Sequence, residues 1–329
     1  MRRREFITLL GGVAGTWSVA ALAQRQPALP VVGFVTARSA ETSLRSAAAF
    51  RKGLSEAGYV DGQNVTVEYH WLDGRYELLS SLMADLVRRG VAVIATPASN
   101  PTTLAAKAAT TTIPIVFGVS ADPVKLGLVA SVARPGGNAT GINFFLADIA
   151  AKRLGLLHDL LPKAVRIAVL VNPANASTAE AARQDMPEAA RALGVTIEVL
   201  NASTSREIEA AFAVLVRNRT DALFVAADGF LTSRRVQLAT SAARYGIPLA
   251  CAIREEVEAG GLMSYGTDIV DGYRQVGVYA GQILQGAKPS DLPVQQSTKF
   301  ELVINLQTAR LLGIEVPASL QLLADEVIE

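Results

Sequence analysis

Two hydrophobic periods take turns along this chain. Short runs rich in β-branched and aromatic residues, among them Val31–Val35, Val91–Ala95, Ile113–Phe117, Arg166–Val171, Ala222–Ala226 and Ile247–Cys251, read as buried strands. Val65–Tyr69 and Val195–Val199 alternate apolar and polar positions, the pattern of half-covered strands. Between the runs, helical spacing predicts helices over Ser43–Ala57, Tyr76–Arg88, Thr102–Thr110, Ile149–Leu161, Ala179–Leu193, Ser205–Arg217, Thr232–Tyr245 and Asp268–Gln285. Gly58, Gly90, Gly194, Gly246 and Gly286 follow helices as C-terminal stops. Strands alternating with helices predict parallel sheets with right-handed crossovers.

The pattern then repeats. Helix–glycine–alternating strand occurs at Phe50–Tyr69 and again at Ala189–Leu200, and strand–loop–helix at Val93–Ala109 and Leu223–Ala243. A period of about 130 residues is far longer than that of a solenoid and predicts two similar α/β lobes. The stretch Ile113–Asn143 is where one half hands over to the other. It reads as a strand, a polar loop (Gly118–Pro123), a short apolar helix (Val124–Val132), a stop at Pro135-Gly136-Gly137, and a strand that leaves for the second half. The fold class expected is α/β, with two Rossmann-like lobes on parallel sheets. The expected lobes are 30–142 plus 266–293 and 143–265 plus 294–329. They would be joined by crossings at Gly141–Asn143, Ser264–Gly266 and Pro293–Thr298, a multi-strand hinge.

In such sheets, loops after strands face the ligand cleft. The candidates are Thr36–Ser39, Ala98–Asn100 and Ser120–Asp122 in the first half, and Asn172–Ser177, Ala227–Phe230 and the neighbourhood of Arg254 in the second. Ser99 or Asn100 would cap the helix after Pro97, with Pro101 in its first turn.

Composition narrows the class. The chain has 31 basic and 30 acidic residues; removing Arg2, Arg3, Arg4 and Glu5 with a leader takes its net charge from +1 to −1. With no basic block beyond that leader, nucleic acid is not an expected partner. Arg2-Arg3-Arg4, the apolar run Thr8–Ala20 and Ala21-Leu22-Ala23 have the layout of an export signal over residues 1–23, with paired arginines of twin-arginine type. Cleavage before Gln24 would leave a soluble periplasmic chain. The single cysteine, Cys251, sits in a core pattern and has no disulfide partner within the chain.

Catalytic and metal motifs are missing. His70 and His158 are far apart and lack a third ligand pattern, Gly118-Val119-Ser120-Ala121-Asp122 lacks the last glycine of a nucleophile elbow, and no phosphate-binding glycine loop follows the first strand. No cofactor, metal or catalytic residue is expected. A monomeric ligand receptor fits these features; an exported α/β enzyme acting on a small polar substrate is the alternative.

Several phrases also resemble one family: Gly53-Leu-Ser-Glu-Ala-Gly-Tyr59, Ile113-Pro-Ile-Val-Phe117, Asp122-Pro-Val124, Gly127-Leu-Val129, Ala133-Arg-Pro-Gly-Gly137, Gly260-Gly-Leu-Met-Ser-Tyr-Gly266 and Lys299-Phe-Glu-Leu-Val-Ile-Asn305. Across nearly the whole mature chain the sequence is similar to ABC-transporter substrate-binding proteins whose better-known members bind aromatic amino acids. The resemblance implies a type I periplasmic-binding-protein fold, a membrane permease as partner, and an amino acid or aromatic carboxylate as ligand. In that light Ser99, Asn100 and Ser120 are expected to meet a carboxylate, and Asp122 and Asp228 an ammonium. Phe34, Phe145, Phe230 and Tyr265 are expected to supply an apolar wall, with Thr36, Ser39 and Asn172 on flanking loops.

Overall fold

The computed structural model describes residues 28–329; the leader expected over 1–23 lies outside them. The first lobe runs β1 (Val31–Thr36), α1 (Leu44–Glu56), β2 (Thr66–Trp71), α2 (Leu79–Arg89), β3 (Val93–Thr96), α3 (Asn100–Ala109), β4 (Ile115–Val119) and β5 (Ala139–Asn143). The central strands β3, β4 and β5 are buried throughout; β3 and β4 are largely apolar runs, while β5 also buries Thr140 and Asn143. α2 ends at Gly90 in the left-handed region (φ 66°), a conformation that costs glycine little. The helix expected over Val124–Val132 is instead a series of turns. Asp122 Oδ1 accepts from the N–H of Val124 and Lys125, and Gly127 turns the chain at φ 71°, so the segment closes on itself before a helix can propagate. Leu128 and Val129 are nonetheless buried.

The second lobe runs α4 (Ala150–Leu160), β6 (Arg166–Val171), α5 (Ala176–Gln184), α6 (Met186–Leu193), β7 (Thr196–Asn201), α7 (Ser205–Arg217), β8 (Ala222–Val225), α8 (Gly229–Ser233), α9 (Arg235–Tyr245), β9 (Leu249–Cys251), α10 (Arg254–Glu258) and β10 (Met263–Thr267). The single helix expected over Ala179–Leu193 is two, broken just before Pro187, which has no N–H to continue the ladder. The chain then returns through α11 (Ile269–Leu284) and β11 (Gln295–Gln296), and finishes with β12 (Phe300–Asn305), α12 (Leu306–Leu311), α13 (Ala318–Leu323) and β13 (Glu326–Ile328).

The strand orders are β11-β5-β4-β3-β1-β2 and β13-β12-β10-β9-β8-β6-β7. Without the late strands they are one topology used twice, 2-1-3-4-5. All pairings are parallel except β10 with β12. The order reverses between β1 and β3 in one sheet and between β6 and β8 in the other; such switch points open a crevice at the carboxyl ends of the strands.

The chain passes between sheets three times: after β5, between β10 and α11, and between β11 and β12. β11 pairs with Ile142 and Asn143, so residues 295–296 belong to the first sheet rather than to the second half. Gly141 is not a bend at the first crossing. It lies within β5, where an added Cβ would be 2.0 Å from Phe117 O. The returning helix α11 lies against α1 with backbone touching backbone: a Cβ at Gly53 would sit 1.8 Å from Arg274 O, and one at Gly277 2.1 Å from Phe50 O. No helix among the described residues is long and apolar enough to cross a membrane.

Candidate ligand-binding site

Four loops at the two switch points converge on one small cavity between the lobes, about 30 Å³ in volume. Its polar lining is Arg38, Ser99, Asn100, Ser120, Asn175, Asp228 and Thr232; Ala98, Phe144, Leu146, Ala227 and Ile253 are among its apolar walls. Of the four non-glycine residues with positive φ among the described residues, Ala98 lines it and Phe145 lies in sequence between two lining residues, Phe144 and Leu146. Strained backbone of this kind persists where surrounding structure over-determines it, often at ligand clamps.

In the first lobe, Ser99 caps α3 by accepting from Thr102 N, which turns the start of that helix toward the cavity. Asn100 is the pivot. Its Oδ1 accepts from Ser120 N (2.9 Å) and Ser120 Oγ (3.3 Å), and its Nδ2 donates to Ser177 Oγ in the second lobe (2.9 Å). Arg38, on the loop after β1, is 4% exposed. Its guanidinium donates no hydrogen bond to any described residue, and its Nε is shielded from solvent. The Tyr273 ring lies 5.9 Å below it.

In the second lobe, Asp228 caps α8. Its Oδ1 accepts from Phe230 N, Leu231 N and Asn172 Nδ2, and its Oδ2 accepts from Asn175 Nδ2 and, across the cleft, from Tyr76 OH at 2.8 Å. Burial, with the Asp228 carboxylate beside it, pushes the Tyr76 phenol well above its ordinary pKa, so it remains a donor. Behind the cavity, burial raises the Glu256 carboxyl, which accepts from Thr232 Oγ1 (2.8 Å) and Ala252 N (3.0 Å). Arg153, 1% exposed, stacks 4.4 Å over Phe224, and burial lowers its pKa to about 10. Arg153 lines an adjoining, wider cavity with Asp122, Asp148 and Thr178. Burial, with Asp122 adding to it, raises the Asp148 carboxyl.

The lobes touch along the whole cleft. Arg234 forms a two-pronged ion pair with Asp73 (3.0 and 3.1 Å), Ser233 Oγ accepts from Ser39 N (3.0 Å), and a Cβ on Gly74 would lie 2.5 Å from the Phe230 ring. The chain is therefore in a closed arrangement.

The structure brings Ser99, Asn100, Ser120 and Asp228 to the cavity, with Asn172 one hydrogen bond behind Asp228. Others lie elsewhere. Thr36 is buried and accepts from Arg38 N; Ser39 bonds across the cleft rim. Asp122 caps its own turn and lines the neighbouring cavity. Phe230 packs in the second lobe's core and under Gly74. Tyr265 stacks on Phe300 in the other core of that lobe, with Lys152 Nζ 2.6 Å from its hydroxyl. Phe34 is core, packed on Phe50, and the wall is Phe144 rather than Phe145. Arg254 is held by Glu258, Glu301 and Glu326. The reading from sequence passed over Arg38, Tyr76 and Asn175; Arg38 and Asn175 fall inside loops it had singled out.

A profile of ABC transporter substrate binding proteins matches residues 32–328. The chain belongs to this family. Its members are solute-binding proteins. It is 29% identical over 270 residues to the tyrosine-binding protein of Clostridioides difficile (strain R20291), covering 81% of this chain and 76% of that one. It resembles a domain in complex with L-Trp from Streptococcus pneumonia, with 26% identity, TM-score 0.80, and coverage of 91% of this chain and 100% of the other. Against the ligand-free, open structure of a substrate binding protein with adhesive properties from Clostridium difficile, also 26% identical and covering 92% and 99%, the TM-score is 0.62. At equal identity the better match to the complex agrees with the hydrogen bonds that join the two lobes here.

Proposed function

We propose that this substrate-binding protein captures an amino acid or aromatic carboxylate between its lobes and delivers it to the permease of an ABC importer. The observation that carries this is the cavity built from both switch points and closed by side chains of both lobes. The bound molecules of the relatives supply the ligand class. The lobes are 30–143 with 268–296 and 144–267 with 297–329, rocking about the three crossings. A ligand drives closure by binding the closed form more tightly than the open one. The chain acts as a monomer without nucleic acid or catalysis. It reaches the periplasm by a twin-arginine-type leader cleaved before Gln24.

The test is mass spectrometry of the purified mature chain, followed by a thermal-shift screen and small-angle scattering. A stoichiometric solute, recovered unchanged, should raise Tm by mass action and shrink the radius of gyration. Turnover of that solute, or binding undiminished in the isolated first lobe, would sink the reading.

A further inference from the structure

We infer that the ligand is a carboxylate that carries no charged amine, with Arg38 as its anchor. This rests on the solute-capture reading and narrows it. Among the other arginines, Arg89 is matched to Glu68 and Asp85, Arg234 to Asp73, Arg254 to three glutamates, and Arg274 to Glu56 and Asp271, while the buried Arg153 stacks on Phe224 and donates to the Tyr265 carbonyl. Arg38 has no acid within ion-pair distance among the described residues, yet it is buried in the cavity wall with a shielded, unpartnered Nε. A guanidinium has five N–H donors in a fork that fits a carboxylate, and burying it unpaired is costly. An anion in the cavity removes that cost.

The cation side of an amino acid finds no such vacancy. Among the described residues, Asp228 is the only acid that lines the cavity. A carboxylate offers about four lone-pair sites, and Asp228 already accepts five hydrogen bonds, one of them from Tyr76 of the opposite lobe. Glu256 feels the charge of Arg38 without forming an ion pair with it; it does not line the cavity and is occupied by Thr232 and Ala252. An ammonium would have to displace Tyr76, and with it a contact that closes the lobes.

Matched pairs test this by calorimetry on the mature chain: L-tryptophan, L-tyrosine and L-phenylalanine, each against the corresponding 3-arylpropanoate and its primary amide. Each propanoate that binds should do so at least about tenfold more tightly than its amino acid, and the amide should not bind. Tighter binding of any amino acid, or a co-purified solute with a free amine, overturns the inference and leaves capture intact. A panel without any binder also overturns it; the absence of any co-purified solute as well would overturn capture too. Arg38→Met gives a second readout. It should abolish propanoate binding, Arg38→Lys should retain part of it, and the ligand-free Tm of Arg38→Met should be no lower than that of the parent. A lower Tm would mark Arg38 as a structural cation and sink the assignment.

Discussion

The two lobes share one strand order, yet their cleft loops are built in opposite ways. Second-lobe loops are self-sufficient: Asp228, Asn172, Asn175 and the start of α8 satisfy one another. The first-lobe loops leave a buried guanidinium open at Arg38 and reach across for partners through Tyr76 and Asn100. The scaffolds differ too. Most of the second lobe is continuous in sequence, whereas the first needs a helix sent back from beyond the second. Equivalent positions at a switch point thus carry no fixed chemistry. Topology brings loops together, and side-chain partners decide which loop is preassembled and which waits for ligand.

The largest expected effect strikes the scaffold difference. Gly277→Val forces a side chain into the backbone of α1 and should cost about 4 kcal/mol or more. Hydrogen exchange should show the first lobe opening before the second; uniform loss of protection in both lobes would dissolve the distinction. Next comes the preassembled network. Asp228→Ala removes an N-cap and leaves two buried asparagine amides unpaired, a loss of about 3 kcal/mol in urea unfolding. A cost under about 1 kcal/mol would mean that the loop does not hold itself together. Arg234→Ala touches only closure. Its pair with Asp73 is partly exposed, so affinity should fall by no more than about fivefold, and by less in about 1 M salt. A salt-independent loss would point instead to the Arg234 guanidinium lying 5.4 Å over the Phe230 ring.

The smallest effect compares sheet edges. On β2, Arg89 binds Glu68 with two prongs and holds its carboxyl below the ordinary range; on β7, Glu198 accepts from the neutral amide of Asn218. Because the folded pKa of Glu68 is lowered, its contribution is present above the unfolded value and is lost as pH falls through the folded one. Arg89→Ala should cost a few tenths of a kcal/mol at neutral pH, and that cost should vanish in acid. Asn218→Ala should show no such acid dependence; equal acid profiles for the two variants would refute the contrast.

The sequence by itself determined the alternation of strands and helices, the doubled lobe, most of the loops at the cavity and a cap at Ser99 or Asn100, which the structure gives to Ser99. Each of these follows from local periodicity or from a turn residue acting on its near neighbours. It misplaced the helix at Val124–Val132, because an Asp-Pro turn and Gly127 outweigh apolar spacing there. Tertiary structure alone decided which loop residues count. Asp228 reads as a free acid until its five donors are seen, Tyr265 as a wall until Phe300 covers it, and Arg38 as one arginine among many until its buried Nε is found without a partner. The decisive partners are remote in the chain: Tyr76 is 152 residues from Asp228, and Phe300 is 35 from Tyr265. Hydrogen-bond satisfaction and burial are properties of assembled neighbours, and no spacing along a single strand or helix encodes them.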